Sequence, residues 1–118
     1  MYPSREIVSS PDREQLKEVL QEISVKSSEN LSVADMAKFC GWSSSHFMRW
    51  FKKMTGDSFT SYVNDRRLAE AAEALCQTDD KILTIAQDAG FMNLSNFNRQ
   101  FKKRYGVTPR EYREMIGI

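Results

Sequence analysis

Residues 85–103 read IAQDAGFMNLSNFNRQFKK, and an earlier stretch of the same chain repeats their pattern. That earlier stretch, residues 36–53, reads MAKFCGWSSSHFMRWFKK. When one extra residue is allowed after the Gly of the later stretch, and the alignment continues to the next Tyr, nine identities fall in one order. Ordered identities with a single gap exceed what chance supplies, so the chain holds two copies of one unit.

Each copy predicts a helix, a Gly-containing turn and a second helix. The first copy predicts a helix that Ser32 caps and Gly41 ends, followed by a helix over about 44–54. The second copy predicts helices over about 82–89 and about 94–105. The later helix of each pair repeats apolar side chains at the spacing of one buried face. The residues expected in the core of these later helices are Phe47, Trp50, Phe51, Phe97 and Phe101.

The remaining segments also favour helices. Pro11 follows a capping Ser in a segment with one apolar stripe, which predicts a helix over about 11–25. Residues 58–76 contain no Gly or Pro, which favours one long helix that joins the two units. A short final helix is expected from Pro109, and the pattern gives no sign of a strand.

The predicted fold class is therefore all-α, with two helix-turn-helix subdomains joined by a long linker helix. The predicted domains are an N-terminal segment 1–30 whose helix packs on the first unit, a first helix-turn-helix 31–57, a linker helix 58–77, and a second helix-turn-helix with a C-terminal helix 78–118.

The charge balance by itself argues against a nucleic-acid binder. The chain has 118 residues with 17 Lys and Arg against 16 Asp and Glu, a formal net charge of +1. Residues 1–30 have four basic and six acidic side chains, a balance of −2, whereas residues 31–118 have 13 and 10, a balance of +3. The positive charge also forms two similar clusters, so its placement matters more than its sum.

Other composition features exclude whole classes of protein. Apolar runs are too short for a membrane span, and the start has no apolar leader segment. Cys40 and Cys76 are expected to be reduced thiols in a cytoplasmic protein. A redox switch through these cysteines is the alternative.

The helix faces opposite the aromatic stripes carry Ser, Arg and Lys at matching positions. Arg can form a fork of hydrogen bonds to guanine and Asn to adenine, Met offers apolar contact to a thymine methyl, and Ser allows close approach. The residues expected to read DNA bases are Ser45, Met48, Arg49, Ser95, Asn98 and Arg99. The residues expected at DNA phosphates are Lys52, Lys53, Lys102, Lys103 and His46.

Several of these residues have an alternative role that involves no DNA. An isolated surface Arg is more often paired with an acid such as Asp57 or Asp88, but two Arg at matching positions favour the reading function. Lys53 and Lys103 lie at the flank, where plain solvation is an equal alternative, and His46 has the same two interpretations.

Taken in order, the residues of the second unit resemble the DNA-binding domain of the AraC/XylS transcription regulators. The resemblance covers about residues 10–116, and Arg67-Leu68 and Ala71 match the linker helix of that family. The matching residues of the second unit are Ile85-Ala86, Gly90-Phe91, Phe97, Arg99, Phe101-Lys102, Gly106, Thr108-Pro109 and Tyr112-Arg113.

This resemblance implies a homeodomain-like, AraC-type fold and a sequence-specific regulator that binds double-stranded DNA. It also implies an activator that contacts RNA polymerase, in the cytoplasm on the nucleoid. The recognition helices, about 44–54 and 94–105, are expected to enter successive major-groove segments roughly 34 Å apart. A shorter spacing requires DNA bending, at a cost on the order of 1–6 kcal/mol.

Two departures from the family pattern change the expectation. Ser45 and Met48 give the first recognition helix fewer polar readers, so shape and phosphate contacts are expected to matter more there. The segment before Leu31 is too short for an effector domain, so no effector site is expected in this chain. The chain is then either a stand-alone regulator or, as is more frequent in the family, the C-terminal domain of a longer protein.

Two other function classes are an enzyme and a protein-interaction domain. Neighbouring Ser45 and His46 point about 100° apart on a helix, and the chain has one His, no metal-ligand cluster and no Gly-rich phosphate loop. The sequence therefore predicts no enzyme, no cofactor and no metal. The remaining alternative is a protein-interaction domain that retains the fold without specific DNA binding.

Overall fold

The computed structural model of the chain describes residues 10–27, 29 and 31–116. Within these residues the chain forms helices and no strand, which confirms the all-α prediction. The helices are α1 (Ser10–Lys26), α2 (Val33–Cys40), α3 (Ser44–Thr55), α4 (Phe59–Gln77), α5 (Ile82–Asp88), α6 (Leu94–Tyr105) and α7 (Pro109–Ile116).

The predicted helix bounds differ from the observed ones by at most one residue at either end. Local capping explains this agreement. The Ser32 hydroxyl accepts a hydrogen bond from the Asp35 N–H at 3.0 Å at the start of α2. Gly41 ends that helix with φ +76°, a conformation that glycine adopts without strain.

The turns after α2 and α5 have the same hydrogen bonds. The Trp42 N–H donates to the Ala37 carbonyl at 2.8 Å, and the Phe91 N–H donates to the Ala86 carbonyl at 2.9 Å. Both bonds link a residue to the one five positions earlier, as in a Schellman motif. The two sequence copies thus fold into equivalent helix ends.

Met92 is the extra residue of the second copy. In the first copy Ser43, the N-cap of α3, follows Trp42 directly, whereas Met92 separates Phe91 from Asn93, the N-cap of α6. The Met92 side chain is 95% exposed. The insertion therefore lengthens the loop and leaves both flanking helices unchanged.

Contacts divide the described residues into two compact units, one of residues 10–26 and 31–62 and one of residues 27, 29 and 63–116. The first unit is built around aromatic rings. Phe59, from the start of α4, packs edge-on against Phe47 and Phe51 with centroids 5.4 and 5.6 Å apart. The Trp50 indole N–H donates to the Asp12 carboxylate at 3.2 Å, which ties α3 to α1.

The second unit repeats the aromatic pair of the first and adds an aliphatic wall from α4. Phe101 packs against Phe97 and against Tyr112 of α7, with centroids 5.7 and 5.3 Å apart. Leu68 and Leu75 of α4 belong to the same buried cluster. Burial of these large apolar side chains supplies most of the stability of such a unit.

Two arginines of the linker-helix and C-terminal signatures act as structural clamps in the second unit. Arg67 donates to the backbone carbonyls of Ser27 and Glu29. Arg113 donates to the carbonyls of Leu75 and Thr78 at 3.1 and 3.0 Å, at the end of α4. Both guanidiniums thus bind backbone carbonyls at or beyond the end of a helix, where the last carbonyls have no donor within the helix.

Candidate nucleic-acid interface

Helix α3 separates a buried aromatic face from an exposed polar one. Phe47 and Phe51 are 0% exposed and Trp50 is 8% exposed, so the predicted core residues of this helix lie in the interior. The opposite face leaves its side chains in solvent because no other described element covers it. The exposed residues of that face, with its flank, are Ser45, His46, Met48, Arg49, Lys52 and Lys53.

Helix α6 has the same division at the matching positions. Phe97 and Phe101 are both 0% exposed. The predicted reading and phosphate residues of this helix are all exposed: Ser95, Asn98, Arg99, Lys102 and Lys103. The structure therefore places each predicted group on the exposed side of its own helix. The two faces carry Ser, Arg and Lys at matching positions and differ at Met48 and Asn98.

Capping fixes where each of these faces begins. The Ser43 hydroxyl accepts from the His46 N–H at 3.1 Å, and the Asn93 side-chain carbonyl accepts from the Asn96 N–H at 2.7 Å. Ser and Asn are favoured N-caps because their side chains satisfy a backbone donor that the helix leaves free. Both helices end at a glycine with positive φ, Gly56 or Gly106.

Neither of the two arginines predicted to read bases, Arg49 and Arg99, forms an ion pair with a carboxylate among the described residues. The alternative partners Asp57 and Asp88 do not bind Arg49 or Arg99 in the described part of the chain. Arg99 donates from Nη2 to the Asn96 side-chain oxygen at 2.8 Å, and this bond is exposed to solvent. Asn96 is not among the residues predicted from the sequence, although its spacing of three from Arg99 on a helix is a recognisable signal.

His46 is held by a neighbour that the sequence analysis did not assign to the site. Its ring stacks on Trp42 with centroids 4.3 Å apart and planes 10° from parallel. Trp42 in turn meets Trp50 edge-on at 4.9 Å. The stack fixes an exposed imidazole at the start of α3. Helical spacing does not indicate it, because Trp42 precedes Ser43, the N-cap of α3.

A groove of about 530 Å³ borders the exposed face of α3 within the first unit. Its walls include the apolar side chains of Val33, Met48 and Phe59, and Arg49 and Lys52 lie at its margin. Met48 is 46% exposed. This part of the face therefore combines an apolar surface with two cations.

Arg104 follows Lys102 and Lys103 in sequence, but unlike them it contacts groups of its own unit. Its Nε lies 3.9 Å from the Asp65 carboxylate, and its guanidinium lies over the Tyr105 ring at 5.2 Å. The exposed ion pair contributes little stability, since both groups are solvated. The contacts nevertheless direct the positive charge of Arg104 toward groups of its own unit.

The residues described by the structure include no group of three His, Cys, Asp or Glu side chains arranged to hold a metal ion. None of the helices that the structure describes has the length and apolar character needed to cross a membrane.

Comparison with known proteins identifies the family. A family model described as a helix-turn-helix domain matches residues 36–115. A transcriptional regulator from Chromobacterium violaceum, described as containing an AraC-type DNA-binding domain, superposes with a TM-score of 0.82 at 28% identity. That alignment covers 92% of this chain and 97% of the other. The chain belongs to the AraC-type helix-turn-helix family. It is accordingly a DNA-binding regulator domain.

Curated relatives agree with this AraC-type assignment. Regulatory protein PocR of Salmonella typhimurium is 36% identical over 107 residues, which cover 91% of this chain and 35% of the relative. The probable transcription factor PqrA of Proteus vulgaris is 38% identical over 93 residues, covering 79% of this chain and 76% of the relative. The chain spans about a third of the length of PocR and of the regulator YobQ of Bacillus subtilis.

The same AraC-type fold occurs in the DNA-binding domain of AdpA, whose structure was determined in complex with a target DNA. That domain is 24% identical to this chain, with a TM-score of 0.82, and the match covers 86% of this chain and 91% of the other.

Proposed function

We propose that this chain binds specific sequences of double-stranded DNA by placing α3 and α6 in two successive major-groove segments. The observation that carries the proposal is the pair of matched, exposed faces. Each presents Ser, Arg and Lys opposite buried Phe side chains. A major groove admits one α-helix, and the base edges there distinguish all four base pairs.

The residues of α6 divide by chemistry into readers and phosphate contacts. The planar Arg99 guanidinium suits the two acceptors of guanine, and the Asn98 amide suits adenine. Ser95 is small enough to let the helix approach the base edges. Lys102 and Lys103 lie about one helical turn after Arg99 and contact the backbone phosphates. Phosphate contacts set the orientation of the protein on DNA and carry no sequence information.

The residues of α3 are assigned in the same way, but α3 has fewer polar side chains that could read bases than α6 has. Arg49 is the main polar reader, while Ser45 gives close approach and Met48 gives apolar contact. The phosphate contacts are Lys52, Lys53 and the imidazole of His46, which its stack on Trp42 holds at the helix start. The first helix is therefore expected to contribute more to shape and phosphate recognition than to base reading.

The family supports wider roles that belong to the same proposal. The chain acts as the DNA-binding part of a transcription activator that contacts RNA polymerase in the cytoplasm, on the nucleoid. It needs no cofactor, carries out no catalysis and contains no effector site of its own. A reporter gene with a selected site in its promoter tests the activating role: the chain, or the longer protein that contains it, should raise expression, and repression would contradict the activator assignment.

Salt dependence of binding tests the DNA-binding proposal directly. Affinity for duplex DNA is measured at several salt concentrations for the wild type, Lys102→Ala and, as a matched control, Lys38→Ala on α2. Each phosphate contact releases counterions, so Lys102→Ala should weaken binding to all sequences alike and reduce the slope of log K against log salt by about 1. Lys38→Ala should leave the slope closer to that of the wild type.

Absent or salt-independent binding by the wild type would contradict the proposal. That result would favour the alternative of a protein-interaction domain that retains the fold without specific DNA binding.

A further inference from the structure

The two recognition helices differ in how they hold their reading arginine. In the second unit, Asn93 accepts from the Asn96 N–H at 2.7 Å, and the Asn96 side-chain oxygen accepts from Arg99 Nη2 at 2.8 Å. The two bonds use different groups of Asn96, its backbone N–H and its side-chain oxygen. The second bond, between residues three apart on the helix, ties the Arg99 guanidinium to the first turn of α6.

The first unit lacks the second of these two hydrogen bonds, the one that restrains the arginine. The Ser43 hydroxyl accepts a hydrogen bond from the His46 N–H at 3.1 Å, but the His46 side chain stacks on the Trp42 ring. Within the described residues, Arg49 has no hydrogen-bond partner for its side chain. The copies therefore match in position and differ in whether the arginine is oriented before DNA arrives.

The bond to Asn96 leaves Arg99 able to read a base. A guanidinium has five N–H donors, and this bond uses one of them at Nη2. Enough donors remain for a two-bond fork to guanine. Because the side chain is already restrained, less conformational freedom is lost when the fork forms, and its direction is fixed.

Building on the proposed DNA binding, we propose that Asn96 is a positioning residue: it orients Arg99 for base reading and makes the second unit the more selective of the two. Asn96 acts through Arg99, so its effect is expected at the base that Arg99 contacts. The bond lies on an exposed surface and contributes little to folding.

The test uses a duplex selected by the wild type from a random library, together with variants of that duplex at each base position. Discrimination is the ratio of affinities for the selected base and for its replacements. Asn96→Ala should reduce discrimination at the Arg99-dependent position by about twofold to tenfold, the scale of the ordering cost of one long side chain. The melting temperature should not fall, because Ala is a better helix former than Asn.

Two further variants separate positioning from other roles. Asn96→Asp retains an acceptor oxygen for Arg99, so it should keep the discrimination while its negative charge weakens binding to all sequences. Gln77→Ala removes an exposed amide from the end of α4 and should leave discrimination unchanged. In an Arg99→Ala background, Asn96→Ala should cause no further loss, because its effect depends on the arginine.

The outcomes distinguish this inference from the proposed function. If the wild type selects no sequence, both fail. If Arg99→Ala relaxes one base position but Asn96→Ala does not, only the positioning role is overturned. A loss at a different base position, or an equal loss in the Arg99→Ala background, would also overturn it and make Asn96 a direct reader.

Discussion

At the residue scale, five arginines of the described residues fall into three groups by their contacts. Arg67 and Arg113 are committed to backbone carbonyls of their own unit. Arg104 lies near an acid, whereas Arg49 and Arg99 have no carboxylate partner among the described residues. Only the last kind leaves its donors available for guanine, so the contacts of each arginine decide its function more than the total charge does.

Replacing Arg99 tests its assignment as a base reader. Arg99→Ala should cost about 1–3 kcal/mol of binding free energy and relax the preference at one base position. Affinities for the selected duplex and its single-base variants give both quantities. Arg110→Ala, which removes an exposed arginine of α7 outside the reading faces, should relax no position. A loss that is equal across all sequences would make Arg99 a phosphate contact instead.

Cys40 should react slowly at neutral pH. Burial raises the pKa of its thiol, and the hydrogen bond from Gln15 offsets this only in part. A raised pKa lowers the fraction of reactive thiolate, so alkylation of Cys40 should be slower than that of a free cysteine peptide and should accelerate as pH rises. Mass spectrometry of the labelled peptide measures the rate. Fast labelling at pH 7, with loss of DNA binding, would support a redox switch.

At the element scale, local signals explain how far the sequence predicts the fold. Apolar spacing, capping Ser and Asn residues and terminal glycines all act within one helix, and they place the helix bounds to within one residue. Contacts between distant segments carry no such signal. The bond from Arg67 to the Ser27 carbonyl links residues 40 positions apart, and the sequence showed only that Arg67 belongs to the linker helix.

The site was predictable to a similar depth. Helical periodicity placed the residues proposed to read bases and contact phosphates on exposed faces, because a position around the helix depends on one angle per residue. It did not give the partner of each side chain. The stack of His46 on Trp42 and the bond of Arg99 to Asn96 depend on rotamers, which the surrounding structure selects.

Phe101 tests the core of the second unit. Phe101→Ala removes a ring that is 0% exposed and contacts three other aromatic rings, so the free energy of unfolding should fall by about 3–5 kcal/mol. Denaturant unfolding measures it. Lys103→Ala, a change at an exposed position of the same helix, should stay within about 0.5 kcal/mol of the wild type. An unchanged unfolding curve for Phe101→Ala would contradict its place in the core.

The start of α7 should respond to acid. The Thr108 N–H donates to the Glu111 carboxylate at 2.9 Å, and the Glu111 N–H donates to the Thr108 hydroxyl at 3.1 Å, forming a capping box. The bond from the Thr108 N–H, with a smaller effect from the Thr108 hydroxyl, lowers the pKa of the Glu111 carboxyl in the folded state. Its stabilisation is therefore present above the unfolded pKa and is lost as pH falls through the lower folded pKa.

A titration followed by NMR should show the Glu111 carboxyl protonating at lower pH than glutamate in an unfolded peptide. Thr108→Ala removes the hydroxyl, the one Thr108 group that accepts from the Glu111 N–H, and should weaken the cap. An unshifted Glu111 titration in the wild type would contradict the capping box.

At the scale of the whole molecule, a formal charge of +1 conceals the basis of function. The acidic residues before Leu31 offset a basic body, and the body presents its charge on two matched helix faces. Duplication explains why the faces match, and the single extra residue, Met92, lies in the exposed loop between the helices of the second copy. The two faces carry Ser, Arg and Lys at the same positions, but only Arg99 is hydrogen-bonded to a neighbouring side chain among the described residues.

Both recognition helices are proposed to read bases, with the second more selective. This is tested by selecting bound duplexes from a random library in parallel with the wild type, Arg49→Ala and Arg99→Ala. We expect two blocks of preferred sequence for the wild type: a sharper block that depends on Arg99 and a weaker block that depends on Arg49. No enrichment, or a single block that survives Arg99→Ala unchanged, would contradict it.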